Sequence, residues 1–239
     1  VVMSVGGLAR RLVDVAASLV GWMMGGLGAV VSLASMFFGA ISGSSLATVS
    51  CIGGIMVPEM QKKGYDLGYS AVFTACAGTI GAVIPPSIPL VVYGVCTSTS
   101  IGDLFLGGIF PGVMIGIALI ISNYIVCKKK GYVGAERKSG REILKAVWEA
   151  KWALFAPVII LGGIYSGIFT PTEASVVSVV YSTIVALFIY KEITWKDLYN
   201  AIVGAAVTNG TTTFLLGLST AFAALLSFCL LYTSDAADE

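Results

Sequence analysis

The chain has 239 residues, 57% of them hydrophobic and 11% charged, with a mean hydropathy of +0.93. Soluble chains carry about 25% charged residues, so this one is built to face lipid, and a water-soluble globular class is excluded. Fourteen basic residues stand against thirteen acidic ones and there is no histidine, which leaves no basic field for nucleic acid and removes every site that needs an imidazole ligand or base.

Cys51, Cys76, Cys96, Cys127 and Cys229 lie singly in or beside apolar runs, without CxxC spacing, and read as small buried hydrophobes. Val1 to Arg11 lacks the charged-then-apolar order of a secretory leader, so the chain is expected to begin within a longer protein.

In chain order, the first stretch near the roughly 20-residue bilayer length runs from Val15 to about Ala40. Its Gly25, Gly26 and Gly28 have no preceding strand and no phosphate-binding lysine, and are read as packing glycines. Next, Ile41–Val57 is apolar but interrupted by Ser42-Gly43-Ser44-Ser45, followed by Thr48 and Ser50. Two explanations fit: small residues that let helices approach closely, or a hairpin tip whose carbonyls and hydroxyls form an oxygen cage for a cation.

Gly68–Ser98 is the second interrupted stretch, with Gly78-Thr79-Ile80-Gly81 followed by Ile84-Pro85-Pro86-Ser87-Ile88-Pro89. Each proline lacks a backbone N–H and disfavours helical geometry in the residue before it, so the helix must break. A kink solvated by Ser or Thr is one outcome. The other is an unwound segment whose freed carbonyls a monovalent cation satisfies, since irregular backbone at membrane depth needs protein or a water-lined cavity around it.

Leu104–Cys127 is a further span, followed by the main basic cluster: Lys128, Lys129, Lys130, Arg137, Lys138, Arg141, Lys145 and Lys151. The positive-inside rule places this segment in the cytoplasm. Within it, Arg141–Lys151 has Ile143, Leu144, Val147 and Trp148 at helical spacing, and fits an amphipathic helix on the membrane surface. Trp152–Phe169 then exits and Ala174–Tyr190 returns, with Lys191 and Lys196 inside. Lys62 and Lys63 fall inside as well. If Arg10 and Arg11 do too, the stretch between them crosses an even number of times or forms a re-entrant hairpin.

The turn Thr170-Pro171-Thr172-Glu173 is a good helix N-terminus. Thr79, Ser87, Thr170, Thr172 and Glu173 are kept as substrate contacts or helix caps. Ala201–Leu231 is one long helix or a broken one, depending on Thr208–Thr213. Residues 232–239 turn abruptly acidic and read as a non-native tail. Asp14, Glu59, Asp66 and Asp103 sit at segment ends where water reaches them, which favours coupling to sodium through neutral oxygens over a proton relay.

At these same residues the chain resembles the large, DctM-like membrane subunit of tripartite ATP-independent periplasmic (TRAP) transporters. The resemblance rests on GGLARRLVDVAASLVGW, on ISGSSLATVSCIGGIMVPEMQKKGYDLGYSAVFTACAGTIGAVIPPSIPLVVYG, on STSIGDLFLGGIFPG and on GGIYSGIFTPTEAS. It implies a non-enzymatic, sodium-coupled elevator importer of organic acids in the bacterial inner membrane, working with a small TRAP membrane subunit and a periplasmic substrate-binding protein.

The implied fold is all-α and polytopic: the first inverted repeat of an elevator-type transporter, with a re-entrant hairpin and a proline-broken helix, plus the start of the second repeat. Residues 1–127 would hold the first repeat, with the hairpin at about 38–60 and the unwound helix at about 68–98. Residues 128–151 would be the cytoplasmic arm, and 152–231 the opening helices of the second repeat. By motif, Ser42, Gly43, Ser44 and Ser45 would form the hairpin tip and Gly81, Ile84, Pro85 and Pro86 the facing unwound helix. Their carbonyls would hold a sodium ion, with no other cofactor.

Family members are longer and carry a second hairpin and a second proline break, and no second Pro-Pro pair follows Pro171 here, so the chain alone is not expected to transport. The alternatives are a sodium/dicarboxylate carrier that needs no binding protein, or a membrane scaffold without transport.

Overall fold

The computed structural model describes residues 7–132, 134 and 138–228. Arg137, Cys229 and the tail at 232–239 lie outside the described residues. The described chain forms ten α-helices and contains no strand. It divides into two compact units, residues 2–194 and the segment from Trp195 onward.

Helix α1 is Leu8–Val20, amphipathic, burying Leu8, Leu12, Val15 and Ala16 while Arg10 stays exposed. Helices α2 (Gly26–Ser42) and α3 (Ser45–Lys62) follow. The span expected from Val15 to Ala40 is therefore two elements. It is divided at Gly21–Gly25, where Gly25 takes φ of 70° and the turn is so tight that a Cβ on Gly26 would lie 2.0 Å from Gly21 O. Ile41–Val57 in turn is interrupted only at Gly43–Ser44, because Ser45 onward is regular helix.

Helix α4 (Leu67–Gly78) tightens into a 3₁₀ turn at Thr79–Ala82, then breaks, and α5 (Ile88–Thr97) resumes after Ser87. Asp66 starts α4 by accepting from Tyr69 N at 2.8 Å. Helix α6 (Ile101–Lys130) runs 30 residues, about 45 Å at 1.5 Å per residue, enough to cross a bilayer.

One face of α6 is lined by Gly108, Gly112 and Gly116, with Phe105, Asn123 and Cys127 on the same buried stripe. A Cβ on Gly108 would sit 2.8 Å from Val83 O, one on Gly112 2.4 Å from Ile84 Cγ1, and one on Gly116 2.3 Å from Met36 Sδ. The four-residue glycine spacing is what lets α6 lie against both α2 and the break in the preceding helix.

Four helix ends are gathered at the basic end of α6. Tyr132, just past Lys128–Lys130, stacks on Tyr65 with ring centroids 4.2 Å apart, its carbonyl accepts from Gly25 N at 3.3 Å, and its hydroxyl accepts from Asp66 N at 3.2 Å. The start of α2, the end of α3 and the start of α4 thus share one level. Since both outer ends of α2 and α3 lie there, the two form an antiparallel hairpin about 25 Å deep, from the 17 residues of α2. Arg11 pairs with Glu192 at 2.6 Å and its guanidinium lies 3.7 Å from the Tyr190 ring centroid, joining α1 to residues 190–192.

Helix α7 (Gly140–Glu149) opens with a capping box at Ser139 and Glu142 and leaves Leu144 and Trp148 exposed, matching the expected amphipathic helix. It bends by 61° into α8 (Lys151–Tyr165), with Lys151 Nζ 3.8 Å above the Trp148 ring. Helix α9 (Pro171–Ile184) continues through a π turn at Val185–Ile189 and returns to the start of α8, where Tyr181 OH donates to Trp152 O at 2.7 Å and Tyr190 OH to Glu149 O at 3.1 Å.

The separate unit is α10 (Trp195–Phe228), one unbroken helix in which Thr208, Thr211 and Thr212 donate to carbonyls four residues back. Those internal bonds let a polar Thr208–Thr213 stretch continue the helix instead of interrupting it. Among the described residues, Ile101–Lys130, Pro171–Ile189 and Trp195–Leu226 are each long and apolar enough to cross a membrane.

Candidate functional site

The hairpin tip follows from residue choice. Gly43, at φ of 62°, ends α2 in the left-handed conformation that glycine adopts without strain, its N–H donating to Gly39 O at 3.0 Å. Ser44 is extended and caps α3, its hydroxyl accepting from Ala47 N at 3.4 Å. Reversal therefore takes two residues.

The break in the next helix has comparable logic. Val83 N donates to Ile80 O at 2.9 Å as the 3₁₀ turn closes, and the Pro85–Pro86 peptide is cis. Ser87 then caps α5: its hydroxyl donates to Ala82 O at 2.5 Å and accepts from Leu90 N at 3.4 Å. Prolines at 85, 86 and 89 have no N–H to give, and among the described residues no N–H or O–H donor reaches the carbonyls of Val83, Ile84, Pro85 or Pro86.

These two irregular segments meet. Ile88 N donates to Gly43 O at 3.2 Å, and a Cβ on Gly43 would lie 2.4 Å from Pro86 O. One on Gly39 would lie 2.9 Å from Gly81 Cα, and one on Gly81 2.4 Å from Thr48 Oγ1 and 3.0 Å from Ser44 O. Ser42, Gly43, Ser44, Gly81, Pro86 and Ser87 are accordingly brought into one junction, with Ile84 and Pro85 in the same break and packed toward Gly112 and Gly108 of α6; Gly43, Gly81, Ile84, Pro85 and Ser87 are buried, Ser42, Ser44 and Pro86 partly so, and Ser45, in the first turn of α3, is half-buried.

Electrostatically the junction is two-sided. The C-terminal ends of α2 and of the α4 3₁₀ turn both point into it, and so do the N-terminal ends of α3 and α5. Converging C-termini favour a cation and converging N-termini an anion. No titratable side chain belongs to the junction, so its donor set is neutral oxygen, chemistry suited to a hard monovalent cation and not to a transition metal. Among the described residues no group of three or more Cys, Asp or Glu is placed to hold a metal ion.

The remaining candidates lie elsewhere. Thr79 is exposed and its hydroxyl donates to Cys76 O at 2.7 Å on its own helix. Thr170 and Glu173 form a capping box at the start of α9: Thr170 N donates to Glu173 Oε2 at 2.8 Å and Glu173 N to Thr170 Oγ1 at 3.3 Å. Thr172 is exposed in the same turn. Ser87, held as a contact or a cap, is structurally the cap of α5 and also lines the junction.

Thr48, a flank of the serine cluster in the sequence, is fully buried and touches Ser42, Ser44 and the Gly81 backbone. Its place one helical turn after the Ser44 cap is the signal in the sequence.

A set of long apolar helices in which the breaks at Gly43–Ser44 and Val83–Ser87 close on each other defines an all-α polytopic membrane protein with its irregular backbone held inside the protein. Residues 1–233 match the family model described as the tripartite ATP-independent periplasmic transporter, DctM component, and the chain belongs to that family, whose members are inner-membrane proteins. It is similar to the isethionate TRAP transporter permease protein DctMQ of Oleidesulfovibrio alaskensis, 44% identical over 228 residues, which is 95% of this chain and 36% of that protein. The C4-dicarboxylate TRAP transporter large permease protein DctM of Pseudomonas aeruginosa is 48% identical over 190 residues, 80% of this chain and 44% of that protein. The 2,3-diketo-L-gulonate TRAP transporter large permease protein YiaN of Escherichia coli is 39% identical over 214 residues, 90% of this chain and 50% of that protein. The chain thus spans half or less of the length of these relatives.

Proposed function

We propose that this segment belongs to the membrane permease of a sodium-coupled secondary importer of organic acids, of dicarboxylate or sugar-acid type, fed by a periplasmic binding protein and assembled with a small TRAP membrane subunit. The observation that carries it is the meeting of Gly43 with Pro86, where carbonyls without donors and two helix C-termini converge inside the protein. Main-chain oxygens released by broken helices are what membrane transporters use to coordinate sodium, and half-helix N-termini are what they turn toward substrate carboxylates. The α2–α3 hairpin is then re-entrant, entering and leaving on the cytoplasmic side.

On this proposal residues 1–127 are the first repeat of an elevator-type carrier, 128–151 its arm and 152–231 the opening of the second repeat, which completes the site elsewhere in the protein. The anion each reported relative is named for is an organic acid, in keeping with the converging N-termini of α3 and α5.

The test is uptake by the intact permease, reconstituted with its partners, under a sodium gradient. We expect uptake to collapse when choline replaces sodium. Gly43→Val, which forces a side chain onto Pro86 O, should abolish it even in sodium. Uptake that persists in choline at an unchanged rate would overturn the sodium assignment.

A further inference from the structure

Thr48 sits in the first turn of α3 and is fully buried. Its hydroxyl donates to Ser44 O at 2.8 Å, and its own N–H donates to that same oxygen at 3.0 Å. A hydroxyl carries one proton, and that of Thr48 is committed to Ser44 O. The 3.2 Å contact between Thr48 Oγ1 and Ser42 Oγ then has Ser42 donating and Thr48 accepting, Thr48 being the nearer of two acceptors for the Ser42 hydroxyl, since Ser44 O lies at 3.5 Å and is already engaged twice.

Two consequences follow for the tip. Both lone-pair positions of the Ser44 carbonyl are taken by Thr48, which holds that peptide turned into α3. The Ser42 hydroxyl proton is drawn toward Thr48 and one lone pair of Ser42 Oγ accepts from Ser44 N at 3.5 Å, which leaves the other lone pair directed away from Thr48, the polarity a cation requires. The close fit extends across the junction, since Thr48 Oγ1 occupies the space that a Cβ on Gly81 would need.

We infer that Thr48 is a positioning residue of the junction, acting through Ser42 and Ser44 to set how tightly the site holds its cation; this deepens the sodium-coupled proposal and rests on it. Its role is the one that outer partners play around metal ligands, orienting the first oxygens without being one of them. Loss of such partners costs about 10- to 100-fold in metal affinity.

The experiment measures sodium dependence of uptake in the intact permease for three proteins: unaltered, Thr48→Val and Thr48→Ser. Valine keeps the shape and removes both the donor and the acceptor, whereas serine keeps the hydroxyl. We expect Thr48→Val to raise the half-saturating sodium concentration about 10-fold with the rate at saturating sodium changed by less than about twofold, and Thr48→Ser to restore the unaltered value.

If the unaltered permease shows no sodium dependence, the sodium proposal itself falls, and Thr48's role with it. If the unaltered permease depends on sodium and Thr48→Val has the same half-saturation, the inference about Thr48 alone is overturned. It is equally overturned if both variants lose maximal rate with half-saturation unmoved, the mark of a merely structural residue. Should Thr48→Val fail to accumulate in the membrane, Thr48→Cys, a small side chain with a weak donor, carries the same expectation of a raised half-saturation, and an unmoved value refutes it.

Discussion

Asn123 is a buried polar side chain within the long apolar helix α6, and it is 1% exposed. Its amide nitrogen donates to Gly25 O at 2.8 Å and its carbonyl accepts from Tyr69 OH at 2.9 Å, so one side chain ties α6 to the start of α2 and to α4. Room for it is made by Gly28, where a Cβ would lie 1.9 Å from Asn123 Oδ1. Removing the amide takes one of three donors from the Gly25 carbonyl, which keeps Gly28 N and Ala29 N, and leaves the Tyr69 phenol only the Cys127 sulfur at 3.7 Å, a loss of about 1–2 kcal/mol given the modest net worth of hydrogen bonds inside membrane proteins. Asn123→Leu is thus expected to lower the thermal unfolding midpoint in detergent. Gly28→Ala should do the same by clash, and the two changes together should cost less than their sum because they strike one contact. An additive pair would show that the contact does not hold the helices together.

Among the elements, the breaks were legible in the sequence because Gly43 and the Pro85, Pro86 and Pro89 set change what a backbone can do locally. Their meeting was expected from the family resemblance alone, because no local rule says which helix a broken segment will face. What escaped was the partition at Gly21–Gly25: an apolar run carries no mark of where a chain turns among glycines that also serve packing. The continuity of α10 through Thr208–Thr213 escaped for the opposite reason, since threonine reads as polar although its hydroxyl bonds to its own helix. The glycine row at 108, 112 and 116 is legible by its four-residue period, although the period alone does not say which element it packs against. It places α6 against the break, and a Cβ at Gly112 would lie 2.4 Å from Ile84 Cγ1. Gly112→Leu is therefore expected to push Ile84 and its carbonyl out of place, costing about 1–3 kcal/mol by overpacking and lowering sodium affinity together with stability. Gly107→Leu, one residue off the stripe with nothing within 4 Å of its Cβ position, should change neither. Equal behaviour of the two variants would mean that α6 does not seat the break.

For residues 2–194 as a whole, the arrangement of ends makes a topology that can be checked without any transport assay. Tyr132 gathers the outer ends of α2, α3 and α4 at the basic end of α6, while Arg11 and Tyr190 bring α1 and the end of α9 to the start of α8. Arg10, Lys63, Lys129 and Lys191 are exposed at these ends, and Thr99 and Ile168 are exposed at the opposite turns, α5–α6 and α8–α9. The positive-inside rule puts the first set in the cytoplasm. A span running straight from Val15 to Ala40 would instead leave Arg10 and Lys63 related by however many crossings the serine cluster happened to make. Single cysteines at these six positions, in the intact permease with its native cysteines replaced, should separate cleanly under a membrane-impermeant thiol reagent. In spheroplasts Thr99→Cys and Ile168→Cys should be labelled and the other four should not; in inverted vesicles the pattern should reverse. Labelling of Arg10→Cys and Lys63→Cys from opposite faces would mean that α2 and α3 are not a hairpin but a crossing. Gly43 would then end a span at the far surface, and carbonyls there would be satisfied by water instead of waiting for an ion.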